Sequence, residues 1–241
     1  MSSIDKLFKQ TPHPAEVSDY WHVFDLSNCL NVFYWAKYFE MAEQAPAGCI
    51  IECGVGRGRS LISLLALEAL FSAMNSRPYR QVYALDSFEG FPEPHQVFDQ
   101  SPRNPQKGQW GSSPNNQFSY SVDNLVTILR NSHVYDVAKE QLEIVKGFFS
   151  ETIPTLNVGA ISILHLDGDL YESVKCPLDA LWEKVVLGGV IVIDDFVLVD
   201  EHEKDEPFPG ARKAVLDFME NNECFEIKGS VRGTPYLVRV R

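Results

Sequence analysis

Residues 50–60, Ile-Ile-Glu-Cys-Gly-Val-Gly-Arg-Gly-Arg-Ser, restrict the fold more than any other stretch of the chain. An apolar run ends in an acid, three alternating glycines follow, and a helical pattern then opens at Ser60. The order is strand, tight turn, helix. Glycine is needed where the backbone turns with positive φ or where a ligand must approach without a Cβ in the way. A glycine-rich turn from a strand into a helix is therefore a ligand cradle, with helix N–H groups pointing at whatever it holds. A Walker loop is excluded because no Gly-Lys-Ser/Thr follows. In Gly54-Val55-Gly56-Arg57-Gly58-Arg59 the third glycine comes one place early for the dinucleotide fingerprint G-x-G-x-x-G.

The rest of the chain repeats that unit. Leu61, Leu64, Leu65, Leu67 and Leu70 give a buried helix over 60–73, and 81–86 forms a second strand ending in Asp86. An acid at that strand tip can accept hydrogen bonds from the two ribose hydroxyls of a nucleoside; the alternative is a cap for the turn 87–90. A helix at 122–130, strands at 142–146, 161–167 and 189–195, and a helix over 171–185 follow. The strands are nearly uniformly apolar, as strands covered on both faces must be. The fold expected is α/β, a doubly wound, mostly parallel, Rossmann-like sheet. A helix beginning at Pro209 and a hairpin of 224–228 with 236–240 close it with antiparallel strands. Before residue 46 lie a polar arm to about Tyr20 and a helix capped near Asp25, with Leu30, Phe33, Tyr34, Tyr38 and Met41 as its apolar stripe. The expected division is an N-terminal arm and helical lid region over 1–45 and one ligand-binding domain over 46–241. Residues 91–118 hold five prolines and no hydrophobic period, and are expected to form an inserted substrate-facing loop.

A length of 241 residues suits one such domain, and a net charge of −12 argues against a nucleic-acid partner, which would call for a basic face. The five cysteines, Cys29, Cys49, Cys53, Cys176 and Cys224, lack metal-finger spacing and are expected as buried thiols in a reducing cytoplasm. No signal peptide opens the chain and no run of about 18 uncharged apolar residues occurs, so a soluble, cytoplasmic protein without membrane partners is expected. Self-association into a homo-oligomer is left open.

Ligands of open α/β sheets bind beyond the carboxyl ends of the strands. Four acids collect there: Asp167 and Asp169 in His-Leu-Asp-Gly-Asp-Leu-Tyr-Glu-Ser (165–173), and Asp194 and Asp195 closing the next strand. Crowded carboxylates in a partly dry site repel unless a cation or shared protons neutralise them. A divalent ion with Asp167, Asp194 and Asp195 as ligands is the economical explanation. All-oxygen ligation selects Mg²⁺, Mn²⁺ or Ca²⁺ over zinc. The competing explanation makes Asp167 or Asp169 a helix cap and turns one of Asp194 and Asp195 sideways. His165 is expected in the core rather than as a ligand, and nothing gives His202 a role.

The glycine turn has the E-x-G-x-G-x-G form of the first motif of S-adenosylmethionine (SAM) dependent methyltransferases. Together with Asp-Ser-Phe-Glu-Gly-Phe-Pro (86–92), Gly-Phe-Phe (147–149), Leu-Asp-Gly-Asp-Leu-Tyr-Glu-Ser (166–173), the Asp194-Asp195 pair and Ala-Arg-Lys-Ala-Val (211–215), it resembles the macrocin O-methyltransferase family. That resemblance implies a seven-stranded class I methyltransferase sheet and Mg²⁺- or Mn²⁺-dependent O-methyl transfer to a sugar hydroxyl of a natural product. It also implies SAM held by Glu52, Gly54, Val55, Gly56, Arg57, Ser60, Asp86, Ser87, Gly147, Phe148 and Asp167. Phe148 stands where family members often carry Trp, and 95–118 and 197–208 match poorly. Cofactor and metal therefore transfer better than the acceptor.

An alcohol is a poor nucleophile at neutral pH, and a divalent cation offsets this by stabilising the developing alkoxide. The expected chemistry places a vicinal pair of hydroxyls of a small-molecule acceptor on the metal, with Asp167 or Asp169 taking the proton. A catechol-type acceptor, or a SAM-binding module without catalysis, remains the alternative.

Overall fold

The computed structural model describes residues 26–112, 116–197 and 206–241, with backbone alone for 26–29. The expected arm, the cap at Asp25, Pro114 and His202 lie outside the described residues. The elements are α1 (Leu26–Gln44), β1 (Cys49–Cys53), α2 (Arg59–Met74), β2 (Val82–Asp86), α3 (Val122–Asn131), α4 (Tyr135–Ala138), β3 (Leu142–Lys146), α5 (Phe149–Thr152), β4 (Ile161–Leu166), α6 (Tyr171–Leu181), β5 (Val185–Ile193), α7 (Pro209–Glu220), β6 (Phe225–Lys228) and β7 (Tyr236–Arg239). They build one seven-stranded sheet in the order β3-β2-β1-β4-β5-β7-β6. The first five strands run parallel, and β7 inserts antiparallel between β5 and β6.

Side-chain alternation along β1 divides the core. Ile50 faces α1 and α2 with Ala84, Ile163 and Val190, whereas Ile51 and Cys53 face α6 and α7 with Leu164 and Ile191. Helix α6 is shorter than its sequence pattern, because a single 3₁₀ turn, Trp182–Lys184, intervenes before β5 begins at Val185.

Helix α1 is a layer of this core rather than part of a lid. Trp35, Tyr38, Phe39 and Ala42 are buried, while Leu30 and Phe33 of the expected stripe are 56% and 72% exposed. The buried face is rotated by one residue from the one the sequence suggested. Glu43 of α1 then meets Arg77 and Arg80, which follow α2, at 2.6 Å each, and the buried Glu68 of α2 takes both arginines as well. Burial alone would raise the Glu43 carboxyl, but the hydrogen bonds from Arg77 and Arg80 outweigh it and hold the group below its usual value. A depressed carboxyl stabilises the fold above its unfolded pKa, near 4.3, and that contribution is lost as pH falls through the folded value. Glu68→Gln is expected to cost about 2 kcal/mol, less than breaking an isolated buried pair because Glu43 still serves both arginines. The urea midpoint checks it.

Residues 91–118 are aperiodic, as expected, but not structureless. Phe91 and Gly108 exchange backbone bonds with Gln109 and Phe91, and Ser112 bridges Ser119. The Asp99 carboxylate accepts from His95 N at 2.6 Å and from Tyr171 N at 2.8 Å, tying the segment to the first residue of α6. Phe91, Leu170 and Phe208 bury one another beneath it. Among the described residues no helix is long and apolar enough to cross a membrane.

Candidate active site

A cleft of about 490 Å³ opens at the carboxyl ends of β1, β2, β4 and β5. The turn after β1 forms its floor. There Gly54 turns with φ +95°, and a Cβ would stand 1.9 Å from the carbonyl oxygen of Asp167 on the neighbouring strand. The two strand ends are that close because Asp167 N donates to Cys53 O at 2.8 Å. A Cβ on Gly56, by contrast, would meet nothing within 4 Å, so the turn has open space on that side.

Asp86 pins the turn. Its Oδ2 accepts from Val55 N at 2.9 Å and Gly56 N at 2.8 Å, and its Oδ1 from Phe88 N at 2.7 Å. A carboxylate offers about four acceptor directions, so the backbone takes three and leaves one on the cleft side. The sequence suggested that this carboxylate accepts two hydrogen bonds from ribose hydroxyls, and the structure shows three of its acceptor directions taken by the turn's own backbone.

Val55, Arg57, Ser60, Ser87 and Phe148 line the cleft with Gly54, Gly56 and Asp86. Two residues of the expected cofactor set do not. Gly147 lies behind the wall, with its α-carbon turned toward Thr152. Glu52 is fully buried on the α1 face of the sheet, where it stands in register with His165 of β4 and holds His165 Nδ1 at 3.1 Å through Oε1. Both occupy matching positions of adjacent parallel strands, so their side chains share a face. Trp35 of α1 covers the imidazole edge-on at 4.6 Å. His165 is the core residue expected, and Glu52 is its partner rather than a cleft residue.

All four aspartates line the cleft, but they divide differently from the expected ligand set. Oxygens of Asp167, Asp169 and Asp195 lie within 4.8 Å of one another. Asp194 instead meets Arg232 Nη1 at 2.8 Å through Oδ1. Both residues lie in the turn that follows β5, and Asp194 is the one paired with Arg232. Asp169 sits in a left-handed backbone, φ +60°, which aspartate tolerates better than most residues. Burial, then Asp194 beside Asp167 and Asp195 beside Asp169, hold those two carboxyls well above the usual range. Burial first and Asp194 next push Asp195 up to about 6, and Asp195 shares a hydrogen bond with Asp169. Three carboxyls that hold protons this tightly form a donor set fitted to a hard divalent cation, which relieves the same repulsion.

Sequence reasoning missed Asn31, Trp110, Phe208 and Arg232, all in the cleft wall. Trp110 stacks on Phe91 at 6.3 Å, and both come from the aperiodic segment, where no periodicity could mark them.

Comparison with known proteins identifies the family. The profile of the macrocin-O-methyltransferase (TylF) family matches residues 37–224. Demethyldecarbamoylnovobiocin O-methyltransferase of Streptomyces niveus is 30% identical over 157 residues, 63% of this chain and 53% of that protein. A tetracenomycin-C rhamnosyl 4'-O-methyltransferase of Streptomyces olivaceus is 30% identical over 162 residues, 66% of this chain and 56% of that one. The chain thus spans little more than half the length of these relatives. The solved calicheamicin methyltransferase CalS11 shares the fold at a TM-score of 0.67 and 20% identity, covering 98% of this chain and 91% of its own. With its profile match across most of its length, the chain belongs to the macrocin-O-methyltransferase family.

Proposed function

We propose that the protein is a SAM-dependent, divalent-metal-dependent O-methyltransferase acting on one hydroxyl of a vicinal, sugar-like pair in a small natural product. The observation that carries this reading is the convergence of Asp167, Asp169 and Asp195 in the same cleft as the glycine turn. A nucleotide-binding module without catalysis has no use for three crowded acids beside its ligand. The rhamnosyl group in the name of the relative from Streptomyces olivaceus supports the acceptor class.

The turn from Gly54 to Ser60, with Asp86 and Ser87, would hold SAM. Asp167 and Asp195 would hold Mg²⁺ or Mn²⁺, with Asp169 completing the set in the geometry described above. When bound, these groups supply an electrophilic methyl and a positive charge that lowers the pKa of a coordinated hydroxyl. The protein contributes position and proton transfer. Val55 and Gly56 are fixed by Asp86 before any ligand arrives, so little ordering remains to be done on binding. Asp167 or, alternatively, Asp169 is the carboxylate to which the hydroxyl proton would pass. Phe91, Pro92, Trp110 and Phe208 wall the cleft and exclude water from the acceptor side.

Calorimetric titration with SAM and with NAD tests the cofactor. Binding of SAM and not of NAD is expected, and the reverse would overturn the reading. Asp86→Ala is expected to weaken SAM binding roughly tenfold to a hundredfold, since it removes the cleft-facing acceptor and frees two turn N–H groups. Unchanged affinity would remove Asp86 from the cofactor site.

A further inference from the structure

Among the described residues, Arg232 is a cation of the chain itself that meets this group of carboxylates. Arg232 lies in the segment 229–235 that joins β6 to β7, and its guanidinium reaches Asp194 Oδ1 at 2.8 Å. It also lies over the Tyr34 ring of α1, 4.9 Å from the centroid, so two elements far apart in sequence hold it in place. Burial disfavours its charge, yet Asp194 foremost, with Tyr34 and Asp167, keeps its proton held more tightly than usual. The field of Arg232 also reaches Asp195.

This contact explains why the acids divide three to one. Asp194 follows β5 directly, as Asp195 does, but its charge is spent on Arg232. A permanent cation at this place acts on an incoming divalent ion in two ways of the same sign. It repels the ion across a partly desolvated cleft, and it withholds a fourth oxygen donor. An arginine does this at every physiological pH because it does not release its proton.

We propose that Arg232 is a built-in competitor of the divalent cation, withholding Asp194 and setting the metal concentration at which the Asp167–Asp169–Asp195 cluster loads. The inference rests on the reading of that cluster as a metal site. Ser230 Oγ receives Arg232 N at 3.2 Å, and a Cβ on Gly229 or Gly233 at either side would meet nothing within 4 Å.

The test is a titration of the full chain with Mn²⁺ alone, read by electron paramagnetic resonance of the free ion, for the wild type, Arg232→Gln and Arg232→Lys. Circular dichroism and the thermal midpoint confirm that each variant is folded. Arg232→Gln is expected to bind Mn²⁺ roughly tenfold more tightly, and Arg232→Lys, which keeps the charge, to remain within about threefold of the wild type. Equal or weaker binding by Arg232→Gln, with the wild type binding, would overturn the competitor role and leave the metal site standing. Absence of binding in every form would overturn both.

Discussion

Asp195→Asn is expected to lower methyl transfer by roughly 10³-fold, about 4 kcal/mol of transition-state stabilisation, while SAM affinity stays within about twofold. Asp195 belongs to the cluster whose oxygens lie within 4.8 Å of one another, and it shares a hydrogen bond with Asp169. The substitution removes one ionised donor from a hard cation and exchanges it for a neutral amide. It leaves the glycine turn and Asp86 untouched. Asp194→Asn is expected to cost only about tenfold, because that carboxylate is already paired with Arg232. Transfer of labelled methyl, together with Mn²⁺ binding, measures both. Equal losses in the two variants would show that Asp194 is as much a ligand as Asp195.

Gly54→Ala is expected to weaken SAM binding at least a hundredfold, or to destabilise the fold by more than about 3 kcal/mol, whichever the chain yields first. The added Cβ would stand 1.9 Å from the Asp167 carbonyl, a backbone atom that β4 holds in place, and φ at this position is +95°. Separating β1 from β4 to make room would move the turn and Asp167 together, so cofactor and metal sites would suffer at once. Gly56→Ala supplies the contrast. Its Cβ meets open space, and the cost is the left-handed backbone at φ +52°, about 1 kcal/mol. Calorimetry with SAM and urea unfolding of both variants check the pair, and equal effects would contradict the steric account.

The central parallel strands were legible because burial on both faces leaves them nearly uniformly apolar, as in β4, and the half-exposed edge strand β3 was also found to the residue. The glycine turn was legible for the same kind of reason, since only glycine fits Gly54. The sequence misled where a side chain's direction depends on a neighbouring strand. Glu52 has the right place in the motif, but its register with His165 turns it into the sheet. Asp194 and Asp195 are adjacent in sequence, yet Asp195 groups with Asp167 and Asp169 while Asp194 is paired with Arg232. Arg232 itself lies on the last hairpin, 38 residues beyond Asp194, and no local pattern announces a contact between them. The phase of α1 was legible only in part: Tyr34 and Tyr38 of the expected stripe are buried, but Leu30 and Phe33 are exposed, and Trp35 and Phe39 also fill the layer over β4 and β5. The segment 91–118 showed its irregularity in its prolines but not its anchor, a single aspartate bonded to the start of α6.

The central claim is that the aspartate cluster carries out O-methyl transfer with the help of a divalent cation. Its most direct test is transfer of labelled methyl from SAM to a panel of glycosylated natural products bearing vicinal sugar hydroxyls. Protein verified to be metal-free in excess EDTA is compared with the same protein resupplied with Mg²⁺. The account predicts that transfer falls at least about a hundredfold on chelation and returns with Mg²⁺. Full transfer in the metal-free protein would contradict it and leave Asp167, Asp169 and Asp195 as hydrogen-bond acceptors for the acceptor's hydroxyls.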